Sequence, residues 1–457
     1  MKKGGVREML SIAIPMVVSY GCDTGMMFCD RVLLSRLGPD VMNAAVGGGL
    51  AAFLMASFGF GLIGYATALV AQYFGAGQKK NCPVVTTQAW ILCAVIYPIV
   101  LLCRPWVHNS FRGFGIPESQ LDAQILYFDI MAYGSILVLV RQSLSTFFSG
   151  IGRTRIVMGA SLAALVVNVI ASYILIYGKL GFPALGIQGA AYGTLFASVC
   201  SIGLLAFAYF KQVGAEFSVS QSLVFDKNIL GKLLRFGTPS GFEMLLTLLA
   251  ANAFMMSFHS MGPVVATASS IVMNWDMTAY IPLMGMEVGV TSLVGRYMGA
   301  KEPDVAHRAT MSGLKVGCMY AAFLIIPFGI LAGPMTEVFR PDGIHPVFEM
   351  ARPITITMLR MITLYMFSIV CVIVFVGSLR GAGDTLWAMA YHVSLHWLSA
   401  AALYISTRYL GFSAVQAWGV VIAVFMFFSI FAWFRYRSGK WRTIQVIQGE
   451  PEVYNRG

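Results

Sequence analysis

Leu69-Val70-Ala71-Gln72-Tyr73-Phe74-Gly75-Ala76 returns 224 residues later as Leu293-Val294-Gly295-Arg296-Tyr297-Met298-Gly299-Ala300. At the same offset Pro15 returns as Pro239, and Gly38-Pro39 with Ala44 as Gly262-Pro263 with Ala268. Further along, Gly150-Ile151-Gly152-Arg153-Thr154 is echoed by Gly381-Ala382-Gly383-Asp384-Thr385. Gly181-Phe182 with Gly189 is echoed by Gly411-Phe412 with Gly419. One such echo is expected by chance in a chain rich in Gly and Ala. Five in order at nearly constant spacing mark a duplication.

What is duplicated is apolar. Of 457 residues, 58% are hydrophobic and 11% charged, and the mean hydropathy is +0.75. A soluble domain carries about 25% charged residues, because a surface facing water must be polar. A surface this poor in charge suits lipid. About 20 apolar residues at 1.5 Å each cross the hydrocarbon, where only helices and closed barrels satisfy the backbone. The runs lack period-two alternation, which predicts helices.

Six spans are expected in the first half, near 9–35, 42–74, 86–104, 122–148, 155–177 and 186–210. Six more are expected near 229–260, 264–298, 309–332, 351–379, 385–408 and 413–434. Pro15, Pro239, Pro282 and Pro353 each remove one hydrogen bond inside a span. Even numbers put both halves the same way up, as parallel repeats about an axis along the membrane normal. The fold class expected is therefore all-α integral membrane, with twelve transmembrane helices in two parallel six-helix repeats about a central cleft. Its parts are a lobe over 1–212, a cytoplasmic linker over 213–228, a second lobe over 229–436 and a cytoplasmic tail over 437–457. With both termini cytoplasmic, 21 Lys and Arg fall on that side and seven on the other, as the positive-inside rule requires.

Several functions are disfavoured. The net charge of +11 is scattered through short loops rather than gathered on a face, which argues against nucleic acid. Eight cysteines form no CxxC pair and sit mostly in apolar runs, so no metal site is expected. No GxxxxGK[ST] loop offers ATP drive. An intramembrane enzyme would need an acidic metal motif or a nucleophile constellation, and none stands out. Met1-Lys2-Lys3 runs into an apolar stretch without an Ala-x-Ala cleavage site and reads as a retained first span. Two parallel bundles around a cleft argue for a transporter.

Across essentially its whole length the chain resembles the multidrug and toxic compound extrusion (MATE) family, in particular its NorM-like bacterial branch. The likeness rests on Pro15 and Asp23-Thr24-Gly25-Met26-Met27-Phe28-Cys29-Asp30, on Val70–Ala76 and Gly150–Thr154, and on Asn168 and Gly189–Thr194. In the second half it rests on Gly237-Thr238-Pro239, Val294–Ala300 and Ser378–Gly381. The resemblance implies an antiporter in the bacterial inner membrane that exports amphiphilic, cationic organic compounds as protons or sodium ions flow inward. A flippase or exporter of lipid-linked or polysaccharide intermediates and a dedicated exporter of one natural product are the alternatives. No cofactor, nucleic acid or ATP is expected, and the partners are small organic substrates and membrane lipid around a monomer.

Ionisable side chains within a membrane are costly, and each is a functional candidate. In the expected spans these are Asp23, Asp30, Asp129, Arg141, Glu243, His259, Asp276, Glu287, Arg360, His392 and His396. The resemblance assigns ion coupling to Asp30, with Asn168, Ser172 and Thr194 as its polar companions. The bland alternative for Asp30 is a helix-end acid paired with Arg31. Asp23, two turns earlier on the same face, is a candidate second carboxylate. Ser172 stands where the family has an Asn or Asp, which favours protons over sodium. The branch's second-half acids would fall at Thr247 and Ile369 and are absent, whereas Tyr365 matches. Glu243, one turn before Thr247, is placed in the cleft with Tyr365, Asp276 and Glu287. Asp276 and Glu287 either greet a cationic substrate or pair with Arg360 or Arg141. His392 and His396 have the i, i+4 spacing of zinc ligands without a third ligand, so a proton relay or packing is expected there.

Overall fold

The computed structural model describes residues 2–113, 116–341, 343 and 345–447. Residues 448–457 of the expected tail, Arg456 among them, lie outside the described residues. The first half contains α1 Val6–Ser35, α2 Pro39–Gly64, α3 Ala66–Gly75, α4 Asn81–Leu102 and α5 Arg104–Gly113. It continues with α6 Glu118–Tyr133, α7 Ser135–Gly150, α8 Thr154–Tyr177, α9 Ile187–Phe207 and the short α10 Gly214–Phe217. The second half contains α11 Lys227–His259, α12 Pro263–Gly299, α13 Pro303–Ile325 and α14 Ala332–Glu337. It ends with α15 Pro346–Ala382, α16 Thr385–Arg408 and α17 Ala414–Arg437.

Ten segments are long and apolar enough to cross a membrane, among them the combined Pro39–Gly75, Ile187–Gln212 and Pro303–Ile330. An eleventh is α6 with α7, bent by 43° at Gly134. The twelfth expected span is α16, whose 24 residues reach about 36 Å but carry His392, His396 and Arg408. Pro15, Pro239, Pro282 and Pro353 all lie inside continuous helices, as does Pro98.

Helices immersed in lipid gain little from hydrophobicity when they meet; close packing of small residues holds them together. The glycines show where. A Cβ on Gly189 would lie 2.6 Å from the Ile176 nitrogen, and one on Gly193 would lie 2.9 Å from the Ser172 Cα, so α9 rests directly on α8. Gly150 touches Val70 and Thr67 in the same way and seats α7 on α3.

Two compact units result. One comprises Val18–Met244, Gly299–Lys301 and Val446–Gly457; the other comprises Met1–Val17, Leu245–Met298 and Glu302–Gln445. The division expected at 212 and 228 is not where the units part. The linker and residues 229–244 belong to the first of these units, and residues 1–17 belong to the second. The cause is again glycine packing. Gly237 and Gly241 lie against the carbonyl oxygens of Leu62 and Phe58 in α2, which fixes the start of α11 there. Gly285 of α12 lies against Val17, and Gly289 against Met9 and Ala13, which fixes the start of α1 in its unit. Within that unit α15 is the most deeply buried span.

Candidate functional site

In the unit built on residues 18–244, Asp30 is 8% exposed, five residues before the end of α1. Its Oδ1 accepts from Ser172 Oγ at 2.9 Å, and its Oδ2 accepts from Thr194 Oγ1 at 2.9 Å and from Asn168 Nδ2 at 3.4 Å. Asn168 and Ser172 are one turn apart on α8, both fully buried, and Gly193 lets α9 approach so that Thr194 reaches the same carboxylate. Further along the same two helices, the Tyr177 hydroxyl donates to the Leu33 carbonyl at 2.7 Å. The structure thus brings Asp30, Asn168, Ser172 and Thr194 into one cluster. Arg31 is exposed, and no salt bridge reaches Asp30 among the described residues.

All three donors are neutral. Isolated charge in a membrane helix costs about 3 kcal/mol or more, and hydrogen bonds from hydroxyls and an amide recover only part of it. Two features suit the cluster to a change of charge. The single Thr194 hydroxyl proton has a second acceptor, the Ala190 carbonyl at 3.1 Å. Asn168 Oδ1 is buried and accepts from nothing among the described residues. A hydroxyl can donate or accept, and an amide can present either face, so the same side chains can serve a carboxylate or a carboxylic acid.

Asp23 is held differently. Arg141 of α7 grips it in bidentate fashion, at 3.0 and 3.2 Å. The alternative pairing of Arg141 with Asp276 or Glu287 is therefore corrected: Arg141 belongs to Asp23. Asp129 of α6 is also paired, to Arg104 at 2.8 Å and to His108 Nε2 at 2.8 Å, with the Arg104 guanidinium over the Tyr133 ring. Glu243 is 4% exposed on α11 within this unit.

In the other unit, Asp276 of α12 accepts from the Tyr365 hydroxyl of α15. Tyr365 lies edge-on to Trp418 with ring centroids 6.2 Å apart. Glu287, three turns further along α12, is paired to Arg380, also of α15. Arg360 is exposed and forms no ion pair with either acid, so the alternative in which it neutralises them does not hold. Ile369 and Thr247, the positions where the resemblance would put acids, supply no charge. His396 Nδ1 lies 2.9 Å from the His392 carbonyl, and the two rings meet edge to face. No group of three His, Cys, Asp or Glu able to hold a metal occurs among the described residues. His259 Nε2 is 3.3 Å from Ser270 Oγ.

Sequence reasoning missed Arg380, Arg104, His108 and the approach at Gly193. Each partner sits on a different helix from the acid it serves, so no spacing along the chain signals it.

The MatE family profile matches residues 15–174 and again residues 239–405, once in each half. A probable multidrug resistance protein NorM of Thermotoga maritima is 25% identical over 84% of this chain and 82% of its own. The multidrug resistance protein MdtK of Edwardsiella ictaluri is 27% identical over 86% of this chain and 85% of its own. Among solved structures, a MOP superfamily transporter from Pyrococcus furiosus superposes with a TM-score of 0.86 at 19% identity, over 96% of this chain and 98% of that one. A MATE crystallised in complex with MaL6 superposes equally well, at a TM-score of 0.86 and 20% identity over the same shares.

Proposed function

This chain belongs to the MatE family of membrane transporters, and on that premise we propose that it is a multidrug efflux antiporter exporting amphiphilic organic cations in exchange for protons. The names of its relatives, multidrug resistance proteins, support drug efflux. The proton as counter-ion is argued from Asp30. The observation that carries the reading is the buried carboxylate served only by neutral donors, beside the unmatched acceptor Asn168 Oδ1. When Asp30 binds a proton, Thr194 turns to the Ala190 carbonyl and the acid proton finds the Asn168 oxygen. When the proton leaves, the donors turn back. One carboxylate among two hydroxyls and an amide is a modest set for sodium, which gains most from charged oxygens.

Asp276 with Tyr365 is the proposed recognition point for the cation of the cargo. Glu287, already held by Arg380, is assigned to structure. The protein acts as a single chain in the bacterial inner membrane, with both termini in the cytoplasm as its Lys and Arg distribution favours.

Proteoliposomes with an imposed pH or sodium gradient, supplied externally with a fluorescent organic cation, test this. The wild type is expected to accumulate dye under a pH gradient alone, and Asp30→Asn to lose at least nine-tenths of that flux. Undiminished flux in Asp30→Asn would show that coupling lies elsewhere.

A further inference from the structure

A groove of about 560 Å³ runs along the outer face of α8, lined by Leu33, Val169, Ile170, Ile174 and Leu180. Tyr173 and Lys179 complete its lining through their apolar parts, and each carries a polar group at its tip. Neither has a hydrogen-bond or ion-pair partner through its polar side-chain atom among the described residues. Among the described residues, no acid lines the groove.

Three features make this more than a gap between helices. Lys179 is one of few basic residues at its end of the spans, while most Lys and Arg gather at the opposite end, where Lys79 and Arg153 share Glu216. Leu180 adopts φ 56°, the left-handed region that a leucine seldom enters, and its side chain is 82% exposed over the groove. Phe182, also 55% exposed, follows in the same loop. An apolar trough, apolar side chains held outward and an unbalanced cation at the level of a helix end together match an acyl chain attached to a phosphate.

We propose that this groove binds one anionic phospholipid, its chain along α8 and its phosphate against Lys179 and Tyr173. A net negative head is required because a zwitterionic head would bring an ammonium to a place with no carboxylate to receive it. The bound chain would lie on α8 directly behind Asn168 and Ser172, which face inward from the same helix. The lipid site is nevertheless independent of the ion that the transporter uses.

Native mass spectrometry of the full chain in detergent, titrated with phosphatidylglycerol or with phosphatidylcholine, reads the site. The wild type is expected to retain one phosphatidylglycerol at concentrations where phosphatidylcholine is lost. Lys179→Gln should weaken that first binding event about fivefold, Tyr173→Phe should weaken it less, and Lys211→Gln, an exposed lysine at the far end, should leave it unchanged. Ile170→Trp fills the trough from an exposed position and should abolish retention while the lipid-free melting temperature stays put. If Ile170→Trp fails to fold, Lys179→Gln and Tyr173→Phe decide. Equal retention of the two lipids, or equal losses in Lys179→Gln and Lys211→Gln, overturns the proposal.

Discussion

The Asp23 carboxylate and the Arg141 guanidinium face each other in bidentate contact, at 3.0 and 3.2 Å, across α1 and α7. Asp30, two turns along the same helix, receives neutral donors alone among the described residues. Two acids on one face thus have different environments, one balanced and one not. That contrast is the basis for proposing a structural role for the first and coupling for the second.

Removing one member of the balanced pair leaves the other as an uncompensated charge, which costs more than the pair contributes. Arg141→Gln is expected to lower stability by about 2 kcal/mol, seen as a lower melting temperature in detergent. Asp23→Asn combined with Arg141→Gln should recover at least half of that loss while gradient-driven flux persists. Should the double change be as unstable as the single one, Asp23 and Arg141 are not energetically coupled.

Gly193→Ala would set a methyl group against the Ser172 Oγ and 2.9 Å from its nitrogen. Overpacking of this kind costs about 1–3 kcal/mol, and here the strain lands on a donor to Asp30. Transport should fall by a larger factor than the fraction unfolded accounts for. Gly203→Ala, with nothing within 4 Å of its added carbon, should match the wild type in both assays. Full transport in Gly193→Ala would show that Ser172 need not hold its place.

Glu216 sits outside the spans, in α10, and accepts from Lys79 at 2.9 Å and from Arg153 at 2.6 Å. The Lys79 hydrogen bond above all, with that from Arg153, holds its carboxyl below the ordinary glutamate value. A carboxyl lowered on folding stabilises the protein above its unfolded value, about 4.3, and that contribution fades as pH falls through the lower folded value. Melting temperature should therefore drop more steeply below about pH 4.3 in the wild type than in Glu216→Gln. Parallel acid profiles would mean that the bridge adds nothing measurable.

Asp276 accepts a hydrogen bond from the hydroxyl of Tyr365, whose ring meets that of Trp418 edge-on. Asp276→Asn keeps the shape and removes the charge. Equilibrium binding of tetraphenylphosphonium should weaken about tenfold, or about 1.4 kcal/mol, while a neutral ligand of like size is unaffected. Unaltered cation binding would remove Asp276 from recognition.

Much of this was legible along the chain. Hydropathy is a local property, so the apolar runs predicted nearly every span, and α16, which carries two histidines and an arginine, is the least apolar of them. The duplicated octapeptide and the recurring prolines predicted two related halves, which the twofold profile match repeats. Asn168 and Ser172 share a helix face by their spacing alone. Their meeting with Thr194 depends on Gly193, which lies next to Thr194 and gives no sign of what it will touch.

Composition and periodicity by themselves determined that the protein crosses a membrane as a duplicated set of helices, because the cost of exposing polar backbone or charge to lipid is set residue by residue. Tertiary structure alone decided which charges cancel: Arg141 against Asp23, Arg380 against Glu287, and, among the described residues, no cation against Asp30. It also decided that the first turns of α1 and α11 pack with helices far away in sequence. Both depend on which helix faces meet, and that follows from the fit of glycine against backbone across the bundle rather than from any property a single helix carries.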